Sequence, residues 1–247
     1  MRIFLLVLVL VFWNAAPAAA QKLIDGRPST GAERFNYFDF SRTYLADPKY
    51  RYMARRALNE RPPKFDFGEF RLRYMQSTWY DPLAEDTEKE LLVLAEQAKQ
   101  AQEDEEWEEL YGRFRGLAHN HLANLGVVIM LADLAKEDKN FGDEKTYRWL
   151  LDGLMRDILA SGDGKSRDTA YDVITFTEET QLLAHLNVEP LSVEYERRGL
   201  REHNRHLVRD NKTGFEKELY VSVRFPMSKL RYEQKIIERN KDPLARR

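Results

Sequence analysis

The chain contains no cysteine. That absence excludes disulfides, thiolate metal sites, a cysteine nucleophile and a lipid joined through a cysteine. Stability must come from a noncovalent core. A chain of 247 residues can supply one, since chains of about 150–300 residues bury roughly 70–75% of their unfolded surface. A basic excess is also missing: 39 Lys and Arg stand against 41 Asp and Glu. Nucleic-acid binders usually carry a strong positive excess, so the composition argues against a nucleic-acid partner. The charge that exists is unevenly placed. Residues 104–109 are acidic and residues 229–247 mostly basic, which suits a solvated helix face and a frayed tail.

Long apolar runs are absent except at the start. Met1 and Arg2 begin the chain, residues 3–13 are apolar throughout, and Ala18-Ala19-Ala20 follows. A positive start, a short apolar stretch and an A-x-A end make a cleavable secretory signal peptide. Asn14 and Pro17 interrupt the run before it reaches the roughly 20 residues that a spanning helix needs. The expectation is a signal peptide at 1–20, cut after Ala20, and a periplasmic or secreted product with no membrane span.

Residues 21–64 are expected to form an arm. Its aromatics are Phe35, Tyr37, Phe38, Phe40, Tyr44, Tyr50 and Tyr52, a set better suited to packing on a domain than to stacking against sugars or bases. Arg61-Pro62-Pro63 ends any helix begun near Pro48. Further on, Phe67, Phe70 and Tyr74 recur at helical spacing. Thr87 and Glu90 have the form of a capping box ahead of a stripe containing Leu91, Leu94 and Ala98. Trp107, Leu110, Tyr111, Phe114 and Leu117 outline an amphipathic helix, and residues 122–134 are apolar nearly all round, as in a central helix. After Asn140-Phe141-Gly142, an Asp143 cap opens a helix carrying Tyr147, Leu150, Leu151, Leu154 and Ile158.

Part of this succession resembles a tetratricopeptide repeat. Trp107, Leu110, Phe114 and Ala123 match the pattern, while Tyr111, Val127 and Ala135 depart from it, and no second segment repeats it. A stack of antiparallel helices is implied, not a repeat array. Residues 171–176 are rich in β-branched and aromatic side chains, and a short helix follows over 178–186, ending near Pro190. Leu219, Val221, Val223 and Phe225 then alternate with Tyr220, Ser222 and Arg224 as in a half-buried strand. The turn Asp210-Asn211-Lys212-Thr213-Gly214 pairs that strand with residues 203–209. The fold class is therefore α+β: tetratricopeptide-like helices, then a small antiparallel sheet with a C-terminal hairpin. One domain over 65–226 and a basic tail over 227–247 complete the division.

Chemistry-bearing motifs fail their spacing tests. His119 and His121 are two apart, which on a helix sends them to nearly opposite sides. His203 and His206 are three apart, which on a strand puts them on opposite faces. Gly164-Lys165-Ser166 lacks the glycine that a phosphate loop needs five positions earlier, where Leu159 stands. Asp163 and Asp168 lack the remainder of a calcium loop and suit turn and cap positions instead. Glu178-Glu179 is adjacent on a helix, so the two diverge, and a helix start favours glutamate through its dipole alone. No metal site and no cofactor are expected.

Several pieces together are similar to a family of secreted proteins known as domain of unknown function 4919. They are Phe65-Asp66-Phe67 with Arg71, Arg73 and Tyr74, then Ser77 and Tyr80-Asp81-Pro82. Later come residues 161–166, residues 170–174, Glu178-Glu179, and Leu219-Tyr220-Val221. His203-Asn204 stands where the family pattern has a Tyr-Asp pair. The resemblance implies an exported α+β domain and carries no known activity. The leading functional expectation is a non-enzymatic binding module with a protein or small-ligand partner. The second is an exported hydrolase or ligand-binding enzyme between helices and sheet, drawing on Asp163, Asp168, Glu178, Glu179 and His203.

Overall fold

The computed structural model describes residues 47–199 and 201–241. The signal segment, the arm aromatics Phe35 to Tyr44 and residues 242–247 lie outside that set. Helices come first: α1 (Asp47–Asn59), α2 (Phe67–Met75), α3 (Glu85–Gln100), α4 (Asp104–Asn120), α5 (Leu125–Glu137) and α6 (Glu144–Ala160). Next are β1 (Tyr171–Asp172), α7 (Phe176–His185), β2 (Val188–Arg198), β3 (Arg201–Asp210), β4 (Glu216–Ser222) and α8 (Arg224–Lys241). The order is the α+β one that the sequence implies.

Local signals set the helix starts. Asp66 accepts from the Glu69 amide at 2.8 Å and opens α2. Asn124 accepts from the Gly126 and Val127 amides and opens α5. Asp143 caps α6 after Gly142, whose φ of 126° lies in the left-handed region. The start of α3 departs from expectation. It begins at Glu85, not at a Thr87 cap, because the Asp81 carboxylate accepts from both the Leu83 amide and the Thr87 hydroxyl. That folds residues 81–84 into a turn, with Ala84 at φ 60°.

Helix α3 packs on α4, and α5 packs on α6. The segment matching the tetratricopeptide pattern, Trp107 to Ala135, therefore spans the second helix of one pair and the first of the next. Helix α5 is central, with Leu125, Val127, Val128 and Leu131 buried, as its all-round apolarity requires. Tyr50, on α1, is wholly buried and stacks on Phe70 with ring centroids 5.3 Å apart. Tyr52 is exposed. The packed body thus takes in α1, upstream of Phe65.

The sheet has the order β1-β4-β3-β2. Strands β2, β3 and β4 are antiparallel, and β1 runs parallel to β4, so the sheet is mixed and not purely antiparallel. A parallel pair needs a long crossover, and α7, β2 and β3 provide it. The β3–β4 hairpin forms around the expected turn, with Leu219 opposite His206. Strand β2 was not anticipated; its charged residues and Pro190 obscure the alternation, and the same residues suit an edge strand. Beyond Ser222 the apparent alternation ends. Val223 bonds the Glu202 carbonyl at 2.9 Å, and α8 begins at Arg224. Residues 227–241, expected as a frayed tail, are helical, held by buried Met227 and by Arg231 on Glu202 at 2.6 Å.

Two kinds of helical glycine make a sharp contrast. A Cβ on Gly153 of α6 would sit 1.9 Å from the Phe67 ring, whereas one on Gly116 of α4 meets nothing within 4 Å. Gly153→Ala should therefore destabilise by about 1–3 kcal/mol through overpacking. Gly116→Ala should stabilise by roughly 0.5–1 kcal/mol through helix propensity. Urea unfolding checks both, and equal effects of the two substitutions would contradict the packing described.

Candidate functional site

The site is organised by one side chain. Arg71 of α2 is 5% exposed. It donates to Asp157 of α6 at 2.6 Å, to Glu178 of α7 at 2.8 Å and to the Asp172 carbonyl of β1 at 3.0 Å. Glu178 also accepts from the Ile174 amide at 2.7 Å. Three helices and the first strand are tied together at this guanidinium, which fixes where β1 meets β4.

That meeting creates a row of side chains on one face of the sheet. Asp172 registers with Ser222, Ser222 with His203, and His203 with Glu196. Registered neighbours share a face, with Cβ atoms about 4.5–5.5 Å apart. Asp172, Ser222 and His203 line a hollow of about 220 Å³, rimmed by Ser161, Arg167, Asp168, Arg201 and Arg224. Its wall is the loop leaving α6. Gly162 and Gly164 let that loop press close: the Gly164 carbonyl accepts from the Tyr220 amide at 2.8 Å, and a Cβ on Gly164 would lie 2.7 Å from Leu219 and from the Tyr171 ring.

Most charges around the hollow are already paired. Arg167 makes a two-pronged contact with Glu196 at 2.5 and 2.9 Å. Arg201 pairs with Asp168, and Arg205 spans Glu194 and Glu218. Four groups are different. His203 is 5% and Ser222 7% exposed, yet among the described residues neither side chain has a hydrogen-bond partner. Asp172 has no cation and Arg224 no carboxylate among the described residues; Arg224 only lies over the Phe225 ring, 4.4 Å from its centroid. Burial lowers the His203 imidazole below its ordinary value of 6.5, with Asp172 and Glu196 opposing and Arg167 and Arg201 reinforcing.

The five residues selected from sequence do not converge. Asp168 and His203 line the hollow. Asp163 instead pins its loop, accepting from the Thr169 hydroxyl at 2.6 Å and the Lys165 amide at 3.0 Å. Those bonds, the Thr169 one foremost, hold its carboxyl down at about 2. Glu178 and Glu179 do diverge at the start of α7, where Thr175 accepts from the Glu178 amide at 3.1 Å. They are not merely exposed helix-start residues: both are buried. Glu178 belongs to the Arg71 cluster, while Glu179 meets Asn204 at 2.8 Å and His206 at 2.6 Å beneath the sheet.

Ser222, Asp172 and Arg224 were missed. Ser222 is the polar partner in the strand alternation, and counting back through the hairpin turn sets it opposite His203. Asp172 and Arg224 join only through the parallel pairing and the unforeseen helix α8. Among the described residues no group of three or more His, Asp or Glu is gathered as a metal would require, and no helix is long and apolar enough to cross a membrane. A second hollow of about 260 Å³ shares Ser161 and Asp172 with the first and is lined elsewhere by Leu72, Met75, Ile174 and Phe225, with Arg71 and Asp157 at its polar edge. A larger one, about 560 Å³ between α5, α6 and α7, is lined mainly by apolar side chains and touches none of the five residues.

A family model described as a domain of unknown function, DUF4919, matches residues 50–223, well over half of the chain. The chain belongs to this family. A search of curated proteins and a search of solved structures each found no match. The DUF4919 span contains the whole rim of the 220 Å³ hollow except Arg224, which follows one residue beyond. Several pieces that carried the likeness to DUF4919 prove to be architectural: Arg71 with Glu178 ties the helices to β1, and Gly164 seats the loop on β4.

Arg71→Ala should cost about 3–5 kcal/mol, because it leaves Glu178 buried and unpaired. Replacing Arg71 and Glu178 together with methionine and leucine should recover much of that loss. Denaturant unfolding of the three variants near pH 7 decides it. A loss below about 1 kcal/mol for Arg71→Ala would remove the guanidinium from its organising place.

Proposed function

We propose that the protein is an exported binding module that takes a small ligand bearing an anionic group in the hollow at the end of the sheet. One observation carries the reading: His203 and Ser222, neither bonded to another side chain among the described residues, line a hollow that Arg224 also lines. The imidazole and the hydroxyl open on the hollow, where an oxygen from outside can take the hydrogen bonds they have to give. An arginine favours a carboxylate, sulfate or phosphate oxygen. Export rests on the leader-like start of the sequence.

Binding is favoured over catalysis by geometry. A serine nucleophile works through a hydrogen bond to its base, and the base through an orienting third group. Ser222 and His203 face one another without that bond, and Glu196 is engaged by Arg167. The protein should accordingly leave a fluorophosphonate probe unreacted; labelling of Ser222 would favour the hydrolase reading instead.

Calorimetric titration with acetate, sulfate and phosphate tests the module directly. Arg224→Gln should weaken binding by roughly tenfold, the worth of one charge-assisted bond. The pH dependence follows from His203. The free imidazole sits below 6.5, and a bound anion raises it again, so binding takes up a proton. Affinity should rise as pH falls from about 7 to about 5.5, while His203→Gln should flatten the profile. Asp172, Glu196, Arg167 and Arg201 are the other charges facing the ring; the Arg167 contact holds the Glu196 carboxyl below its ordinary value and Glu196 holds Arg167 above its own. Absence of binding by all three anions would sink the proposal.

A further inference from the structure

Resting on that anion-site reading, the geometry points to a narrower ligand class. We propose that the ligand is a zwitterion, a free α-amino acid with an apolar side chain. Its carboxylate would meet Arg224, His203 and Ser222, its ammonium Asp172, and its side chain the second hollow.

The first argument is one of charge. Around the hollow, acids and bases cancel in pairs: Asp168 with Arg201, Glu196 with Arg167. Among the described residues this leaves one acid, Asp172, and one base, Arg224, without an ion-pair partner. Both line the same 220 Å³ space and do not come within ion-pair distance of each other. A gap therefore separates two unpaired charges of opposite sign, and a small dipolar molecule fills it with both ends matched.

The second argument is one of shape. The 260 Å³ hollow adjoins the first, with Ser161 and Asp172 in both linings. Asp172 thus stands at the junction, where an α-carbon would lie with its ammonium beside the carboxylate. From that point, Leu72, Met75, Ile174 and Phe225 offer apolar surface to a side chain. The Arg71 charge at the edge of this hollow is already met by Asp157 and Glu178.

The test compares four probes by calorimetric titration on the purified protein. They are leucine, 4-methylpentanoate (leucine without its ammonium), 3-methylbutan-1-amine (leucine without its carboxylate) and glycine. Leucine should bind at least roughly tenfold tighter than either truncated analogue, each of which loses a charge-assisted bond. It should also bind at least roughly tenfold tighter than glycine, which leaves the apolar hollow empty. Asp172→Asn should remove leucine's advantage over 4-methylpentanoate. If that variant fails to fold, the comparison of the four probes on the unaltered protein decides alone. Equal binding of leucine and 4-methylpentanoate would overturn the zwitterion and leave the anion site standing. Equal binding of leucine and glycine would overturn the side-chain assignment. Failure of all four probes together with acetate, sulfate and phosphate would take the anion site with it.

Discussion

A buried guanidinium is the constraint from which the rest of this architecture follows. Arg71 cannot leave water cheaply, and its cost of burial is offset only while Asp157, Glu178 and the Asp172 carbonyl all stay in reach. Those partners come from two helices and a strand that follow α2 by many residues. Satisfying Arg71 therefore sets the distance between the helical layer and the sheet. Apolar packing alone is indifferent to small slides of one layer on another; hydrogen bonds with fixed directions are not. The hollow at the end of the sheet exists because β1 is held there.

The two faces of the sheet show what happens on either side of that constraint. The face toward the helices buries Leu219, Val221 and Val208, with the Glu179, Asn204 and His206 group among them. On the opposite face ion pairs run across the strands, Glu194 to Arg205 to Glu218 and Glu189 to Arg209 to Glu216. Such exposed pairs contribute little stability singly. Their value here is in occupying charge, so that the few groups left without partners at the β1 end stand out against a background of matched ones.

Much of the helical layer was legible because its periodicity is local. Trp107 to Leu117 and Tyr147 to Ile158 repeat at three and four, and Asp143 announces its helix in a single residue. The β3–β4 hairpin was legible for the same reason, through its turn. What escaped notice depends on partners distant in sequence. Thr87 looked like a cap until Asp81 is seen to take its hydroxyl. Strand β2 is a strand because β3 lies beside it, and its own residues, Glu194, Glu196, Arg197 and Arg198 among them, argue weakly for one. Of the site, His203 was within reach and Asp172 was not, since a two-residue parallel strand leaves almost no trace in its own sequence. Glu178 and Glu179 could be seen to diverge, but their burial follows from Arg71 on one side and from His206 on the other.

The parallel pairing of β1 with β4 has a consequence for how the molecule assembles. Strands β2, β3 and β4 follow one another through short turns and can form as a local unit. Strand β1 sits on the far side of α7 and of that unit, so its pairing closes a long loop and is entropically late. Docking the three-stranded unit against the helical layer is then the step that completes the sheet. Asp172 arrives from one partner in this docking, and Ser222 and His203 from the other. The hollow is thus absent from either part alone, and a ligand that bridges it would act as a clasp on the last joint to close.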